Sequence, residues 1–277
     1  MLNSRTNKGQ VTLFVVLAIV LVAAVVIVYL FAPRISDVFM SEESAQKILA
    51  SEVEPLKDYV YKCVEETSIN FFKTTGMQGG YYYASHLQKI GDYSVVLYKD
   101  DEGNYVNKIP STVSIEGEFG EYMNDEGLYK LEECIDDFKS FKRIMDVETG
   151  TRVITVDLGS MEGAILINVD WPVTIKKAEA SMTIEQRNVK LSINLKKILG
   201  VAQDIVNYEA KGTNFLIEEI GNPDDYYYNH QETLKEISIE GENNILVPME
   251  GQTAYKLSTR PPTGEEPYLF YFGVDRA

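Results

Sequence analysis

The apolar segment at residues 11–31 constrains the fold of this chain more than any other feature, because its 21 residues include no charged side chain. At about 1.5 Å of rise per residue, a helix of this length reaches roughly 31 Å, close to the ~30 Å hydrocarbon core of a bilayer. Backbone groups in lipid must find their hydrogen-bond partners within the segment, which requires a helix. The sequence therefore predicts a transmembrane helix at residues 10–34, in contact with membrane lipid through residues 11–31.

The charges on either side of this segment predict its orientation. Arg5 and Lys8 precede it, and the first ten residues contain no acid, whereas Asp37, Glu42 and Glu43 follow it. Basic residues flanking a membrane helix favour the cytoplasmic side. We therefore expect a single-pass protein of the cell membrane, with a cytoplasmic N-terminus and an extracytoplasmic C-terminal part.

The rest of the chain is strongly acidic. After residue 34 it contains 23 basic and 42 acidic residues, a net charge of −19. A nucleic-acid partner would require a basic surface, so this class of partner is excluded. The sequence contains no D-x-D-x-D-G calcium loop, and we predict neither a metal site nor a cofactor.

Directly before the apolar segment lies the motif Lys8-Gly9-Gln10. A polar leader with this ending resembles the class III signal peptide of archaeal type IV pilins and archaellins. The resemblance implies that residues 1–9 are a leader, that a prepilin peptidase cleaves between Gly9 and Gln10, and that the helix stays on the mature protein. Bacterial pilins have a glutamate at the fifth mature position, which is Phe14 here; archaeal members often lack that glutamate. The alternative is an uncleaved signal anchor.

Residues 35–148 are predicted to be a helix-rich extracytoplasmic region with short strands. A helical pattern begins at a predicted N-cap, Ser41, and continues to about Thr75, and Pro55 can divide it into two helices. A second helical pattern covers residues 121–145. Short strands are predicted at residues 81–83, 93–98 and 105–109.

Residues 149–277 are predicted to be a β-rich extracytoplasmic region with one long helix at residues 194–220. Three long strands, residues 151–158, 164–175 and 182–193, suggest an antiparallel meander, and Trp171-Pro172 marks a bulge or an edge. Four more strands are predicted at residues 234–239, 245–248, 253–259 and 268–274. The predicted fold class is α+β, with an N-terminal transmembrane helix, a helical layer and an antiparallel sheet.

The two cysteines, Cys63 and Cys134, both lie in predicted helices. An even number of cysteines in an oxidising compartment favours a disulfide between them; the alternative is a pair of buried free thiols. Cys63, the glycine-rich segment at residues 76–81 and Cys134 together resemble a group of membrane-anchored surface proteins of small-genome archaea. That resemblance implies a location rather than a chemistry.

The sequence has no motif of a known catalytic site. His86 and His230 lie outside H-E-x-x-H and H-x-E contexts, and no G-x-S-x-G, P-loop or G-x-G-x-x-G is present. We therefore predict that the chain is not an enzyme. Two tyrosine triplets are candidate contact residues for a glycan or a protein partner: Tyr81, Tyr82, Tyr83, and Tyr226, Tyr227, Tyr228.

The sequence supports three hypotheses about function. The leading one is a pilin-like, single-span surface protein with a structural or cell-contact role, in which copies of the chain associate. The second is a signal-anchored binding module that forms no filament and recognises a glycan or a protein. The third is an extracytoplasmic enzyme of unidentified reaction.

Overall fold

The structure is a computed structural model that describes residues 16–27, 42–161, 163–184, 187–212, 237–242, 251–259 and 266–276. Several predicted features lie outside the described residues: Lys8, Gly9 and Gln10, both ends of the apolar segment, Ser41, Tyr226 to Tyr228, and the strand at 245–248. Residues 16–27 are helical. Among the helices that the structure describes, none has both the length and the apolar character needed to cross a bilayer.

The chain divides into two compact units. Unit 1 comprises the described residues of Met1–Leu56, together with Ser140–Glu148 and Val173–Ile184. Unit 2 comprises the described residues of Lys57–Lys139, Thr149–Pro172 and Glu185–Ala277. The predicted α+β class is confirmed, because long helices and separate sheets both contribute.

The longest helix, α1, extends over Glu42–Met77 without a break at Pro55. Proline leaves the carbonyl of the residue four positions earlier without its helical donor. Here that residue is Ser51, and both Ser51 and Pro55 are exposed, so water can satisfy the carbonyl. The predicted division of this helix was therefore wrong.

The second helical pattern forms two helices, α2 (Thr112–Asn124) and α3 (Glu126–Ile135), instead of one helix at 121–145. The Ser111 side chain caps α2 by accepting a hydrogen bond from the Ser114 N–H at 3.1 Å. After Ile135 three successive residues have positive φ: Asp136 (45°), Asp137 (51°) and Phe138 (55°). An α-helix cannot continue through left-handed backbone, although Phe138 keeps the apolar spacing and is buried.

The predicted strand at residues 81–83 is also wrong, because this segment is irregular and leads into a short 3-10 turn at Ala84–His86. Its backbone forms a hydrogen bond with a side chain of α2 instead of pairing with a neighbouring strand. The Tyr82 N–H donates to the Glu118 carboxylate at 2.6 Å.

The largest sheet lies in unit 2 and has six strands: β1 (Lys89–Ile90), β2 (Tyr93–Lys99), β3 (Tyr105–Asn107), β10 (Ile237–Glu242), β11 (Gln252–Thr259) and β12 (Leu269–Asp275). Its order is β1-β2-β12-β11-β10, with β3 also paired to β2. All pairs are antiparallel except β12 and β2, which run parallel. The predicted purely antiparallel sheet is therefore corrected to a mixed one.

The remaining strands form two three-stranded sheets instead of one meander. In unit 2, β5 (Val153–Asp157), β6 (Ile165–Asp170) and β9 (Arg187–Leu191) pair in the order β5-β6-β9. The other sheet has the order β4-β7-β8 and consists of β4 (Asp146–Thr149), β7 (Val173–Lys177) and β8 (Ala180–Ile184). The strand predicted at residues 164–175 thus ends at Trp171-Pro172, where proline has no N–H to donate.

Helix α4 covers Leu195–Glu209 and packs against β11 and β12. It begins at the predicted place, where the Asn194 side chain accepts a hydrogen bond from the Lys197 N–H. It ends earlier than the predicted residue 220, since residues 210–212 form a turn in which Gly212 has a φ of 83°.

The core of unit 2 is rich in aromatic rings from distant parts of the sequence. Phe71 and Phe72 of α1 contact Phe119 of α2 with ring centroids 5.2 and 5.7 Å apart. Tyr255 of β11 stacks on Phe272 of β12 at 5.2 Å. The second half of α1, α2 and the large sheet therefore all contribute aromatic rings to the core of unit 2.

Candidate functional site

Two rings of the first tyrosine triplet are half-buried, and the third is exposed to solvent. The half-buried Tyr82 ring stacks on Phe71 at 5.1 Å, and its hydroxyl donates to Glu126 at 2.7 Å. The Tyr81 hydroxyl donates to the Lys108 carbonyl at 2.8 Å. Tyr83 is 39% exposed and meets Tyr82 edge to face. Of the three candidate contact residues, Tyr83 therefore offers the most accessible ring.

Carboxylates around this triplet set its electrostatics. Burial and then the hydrogen bond to Glu126 raise the pKa of Tyr82. Hydrogen bonds from Lys130 and then Tyr82 lower the pKa of Glu126. The Lys130 ammonium lies 2.8 Å from the Glu126 carboxylate. The arrangement keeps Tyr82 neutral and Glu126 ionised, and the charge of Glu126 is paired with that of Lys130.

Cys63 of α1 and Cys134 of α3 form the predicted disulfide, with their Cα atoms 5.7 Å apart. Next to it, the Tyr59 hydroxyl donates to the Cys134 carbonyl at 2.7 Å. The bond and the hydroxyl together hold α1 against α3. No cysteine of the chain remains as a free thiol.

The described residues include no group of three or more His, Cys, Asp or Glu side chains that could hold a metal ion. His86 is exposed, its Nδ1 lies 3.0 Å from the Tyr83 carbonyl oxygen, and its ring meets Tyr81 edge to face. His230 lies outside the described residues.

A cavity of about 600 Å³ opens in unit 2, and the sequence did not predict it. We call it the α1–β9 groove. Its walls are one face of α1 (Glu65, Ile69, Lys73, Met77), the end of β9 with the residues after it (Lys190, Leu191, Ser192, Ile193), and the approach to β12 (Glu266, Pro267, Tyr268, Leu269). The four α1 residues follow each other at steps of four, which places them in a row along one side of the helix.

The floor of the groove is apolar and its charges lie at the sides. Leu191 and Tyr268 are buried, and the Tyr268 hydroxyl is used internally, since it donates to the Phe72 carbonyl at 3.0 Å. The Lys73 ammonium lies 3.3 Å from the Glu266 carboxylate. The volume falls within the range of small-molecule sites in proteins.

A second feature that the sequence did not reveal is a buried charged group at the end of α4. The fully buried Glu209 accepts a hydrogen bond from the Tyr255 hydroxyl, and its Oε2 lies 3.3 Å from Nη1 of Arg276. Burial, followed by the nearby Glu209 carboxylate, raises the pKa of Tyr255. A buried ion pair with hydrogen bonds to both partners is typical of a structural contact.

No protein-family model, curated protein or solved structure matches this chain. The two features with the strongest implications are the exposed apolar helix at 16–27 and the α1–β9 groove.

Proposed function

We propose that the chain is a single-span membrane-anchored surface protein, with its N-terminus in the cytoplasm and the part of the chain after residue 34 on the other side of the membrane. The observation that carries this proposal is the helix at residues 16–27. All twelve of its side chains are exposed, including Leu17 at 54% and Val25 at 67%. Exposed apolar area costs about 25 cal/mol per Å² in water, and lipid removes this cost.

The disulfide supports the same placement. Disulfides persist in oxidising compartments and are rare in the cytosol of most organisms. Cys63 is buried and bonded to Cys134 in unit 2, so this unit suits an extracytoplasmic environment.

Membrane attachment and orientation can be tested with the full chain carrying a C-terminal epitope tag. We expect the protein to stay in the membrane pellet after an alkaline carbonate wash. We also expect protease added to intact cells to remove the tag, while a cytoplasmic marker protein survives. Release by carbonate would contradict the anchor, and a protected tag would contradict the orientation.

Within this class we propose a pilin-like protein whose leader, residues 1–9, is removed by a prepilin peptidase. The support is the motif Lys8-Gly9-Gln10 directly before the apolar segment, together with the long helix α1 that enters unit 2. N-terminal sequencing of protein from a host with this peptidase should give Gln10 as the first residue. A Gly9→Arg variant should keep residue 1 or 2, whereas Thr6→Ala should be processed normally. An unprocessed wild-type chain would contradict this step.

The α1–β9 groove supports a second candidate function, a surface module that binds a partner without forming filaments. Electron microscopy with an antibody against unit 2 separates the two candidates. Label along filaments supports the pilin-like protein, and label confined to the cell envelope supports the binding module.

A further inference from the structure

The α1–β9 groove lies at one edge of the sheet that the described strands β5, β6 and β9 form. Strand β9 pairs with β6 over Ile165↔Leu191 to Val169↔Arg187, and it pairs with no other strand among the described residues. An edge strand has N–H and C=O groups on its outer side that no strand pairs, and an extended peptide can use them by adding a strand. On β9 the Leu191 carbonyl already accepts a hydrogen bond from the Ile193 N–H at 2.8 Å, so the groups before it are the ones that a peptide can use. Residues 190 and 191 of this strand also line the groove.

The opposite wall offers apolar surface to a side chain of such a peptide. Ile69 and Met77 belong to the row of groove residues on α1, and Met77 is 60% exposed. A row from residue 65 to residue 77 extends roughly 18 Å along the helix, the length of about five residues of an extended peptide. A trough bounded by a helix and a strand edge suits an extended peptide better than a compact ligand.

The charges of the groove indicate which side chains would lie beside the apolar one. Lys73 and Glu266 already pair with each other. Glu65 and Lys190 also line the groove, and neither forms an ion pair with another described residue. A peptide with a basic residue on one side of its apolar residue and an acidic residue on the other would complement both charges.

We propose that the α1–β9 groove binds an extended peptide segment of a partner protein, added as a strand to β9, with an apolar side chain in the cavity and with a basic and an acidic residue facing Glu65 and Lys190. The charges of Glu65 and Lys190 select this peptide, and binding of a second copy of the chain is the outcome that the test must exclude. The proposal rests on the binding-module candidate, and it does not depend on leader processing.

A displayed library of random heptapeptides, selected on the full chain in detergent, tests the proposal. We expect the selected peptides to share a central aliphatic residue with an acid and a base on opposite sides. Their affinity should fall about tenfold with Ile69→Gln, which places an amide against the apolar floor. Ile48→Gln is the matched control, because Ile48 lies on the same helix outside the groove and is also partly buried. If no selected peptide depends on Ile69, the groove is not the site.

Two further measurements separate the parts of the proposal. Methylation of alternate backbone N–H groups along one edge of a selected peptide should lower its affinity. Methylation of the other set should leave the affinity unchanged, and equal effects would overturn strand addition. Lys190→Glu should lower the affinity for the selected peptide and raise the affinity for a version whose acid is replaced by lysine.

If the wild-type chain self-associates through the groove and Ile69→Gln abolishes this association, the partner is a second copy and the assignment to a different protein is wrong. Carbonate extraction is unaffected by any of these outcomes, so failure here is distinguishable from failure of the membrane proposal.

Discussion

Arg276 reaches the fully buried carboxylate of Glu209, with Nη1 and Oε2 3.3 Å apart. The contact joins the end of the described chain to the last residue of α4. The guanidinium is held further by bonds to the Gly251 carbonyl at 3.2 Å and the Thr253 hydroxyl at 3.4 Å. It therefore fixes β11, β12 and α4 to one another at their ends.

Arg276→Ala should lower the free energy of unfolding by about 3 kcal/mol, because it leaves the buried Glu209 carboxylate without its cation. Denaturant unfolding of the full chain in detergent measures this. Lys47→Ala is the control, since it removes a highly exposed pair with Glu43 and should cost less than about 0.5 kcal/mol. Adding Glu209→Gln to Arg276→Ala should restore part of the loss, and strictly additive effects would mean that the two groups are not coupled.

Loss of the disulfide should destabilise unit 2 by about 4 kcal/mol, since Cys63 and Cys134 are 71 residues apart and their bond restricts a long loop in the unfolded chain. Unfolding curves with and without a reductant measure the difference. In the double variant Cys63→Ala with Cys134→Ala, the reductant should have no effect. An equal response of the variant and the wild type would show that the reductant acts elsewhere.

Alkaline pH should destabilise the protein through its buried tyrosines. Burial, followed by the Glu126 carboxylate, raises the pKa of Tyr122 from 10.0 to about 12. Between these two values the unfolded chain binds fewer protons than the folded one, so the free energy of unfolding falls as pH rises. Below pH 10 both states are protonated, and this contribution is constant.

The measurement is a series of unfolding curves from about pH 8 to about pH 11. Tyr122→Phe should give a shallower decline, because phenylalanine cannot ionise, although it also loses the hydrogen bond to the Thr67 carbonyl. Tyr129→Phe should leave the slope unchanged, as Tyr129 is 72% exposed. A slope that is the same in all three proteins would refute the assignment to Tyr122.

The sequence predicted the elements whose signal is local. The apolar spacing from Ile48 to Phe71 is continuous over many turns, and it identified α1 almost to its ends. The strands β2, β11 and β12 were also found, because runs of Val, Leu, Tyr and Phe between turn residues are typical of strands. The disulfide followed from cysteine number and compartment alone.

The sequence did not predict which distant segments of the chain pair with each other. Nothing in β2 indicates that its neighbour is β12, which runs parallel to it from the far end of the chain. The groove has the same origin: the row from Glu65 to Met77 is visible as a helix face, but the strand edge opposite it is set by the pairing of β9 with β6. Tyr82 was misassigned to a strand because its partners, Glu118 and Glu126, lie on helices far along the chain.

Gly76 should tolerate no side chain, because a Cβ there would lie 2.2 Å from the carbonyl oxygen of Leu269. The backbones of α1 and β12 therefore touch at this point, between the groove residues Lys73 and Met77. Gly76→Ala should force the two elements apart and cost about 3 kcal/mol, the upper part of the range for overpacking. Gly117→Ala is the matched control: it lies in α2 with no atom within 4 Å of its Cβ, and should add about 0.5–1 kcal/mol of stability through helix propensity.

The Gly76 contact also sets the distance between two walls of the groove. Gly76→Ala should therefore lower the affinity for the selected heptapeptides, while Gly117→Ala leaves it unchanged. Wild-type stability of Gly76→Ala would show that α1 and β12 are not in contact there.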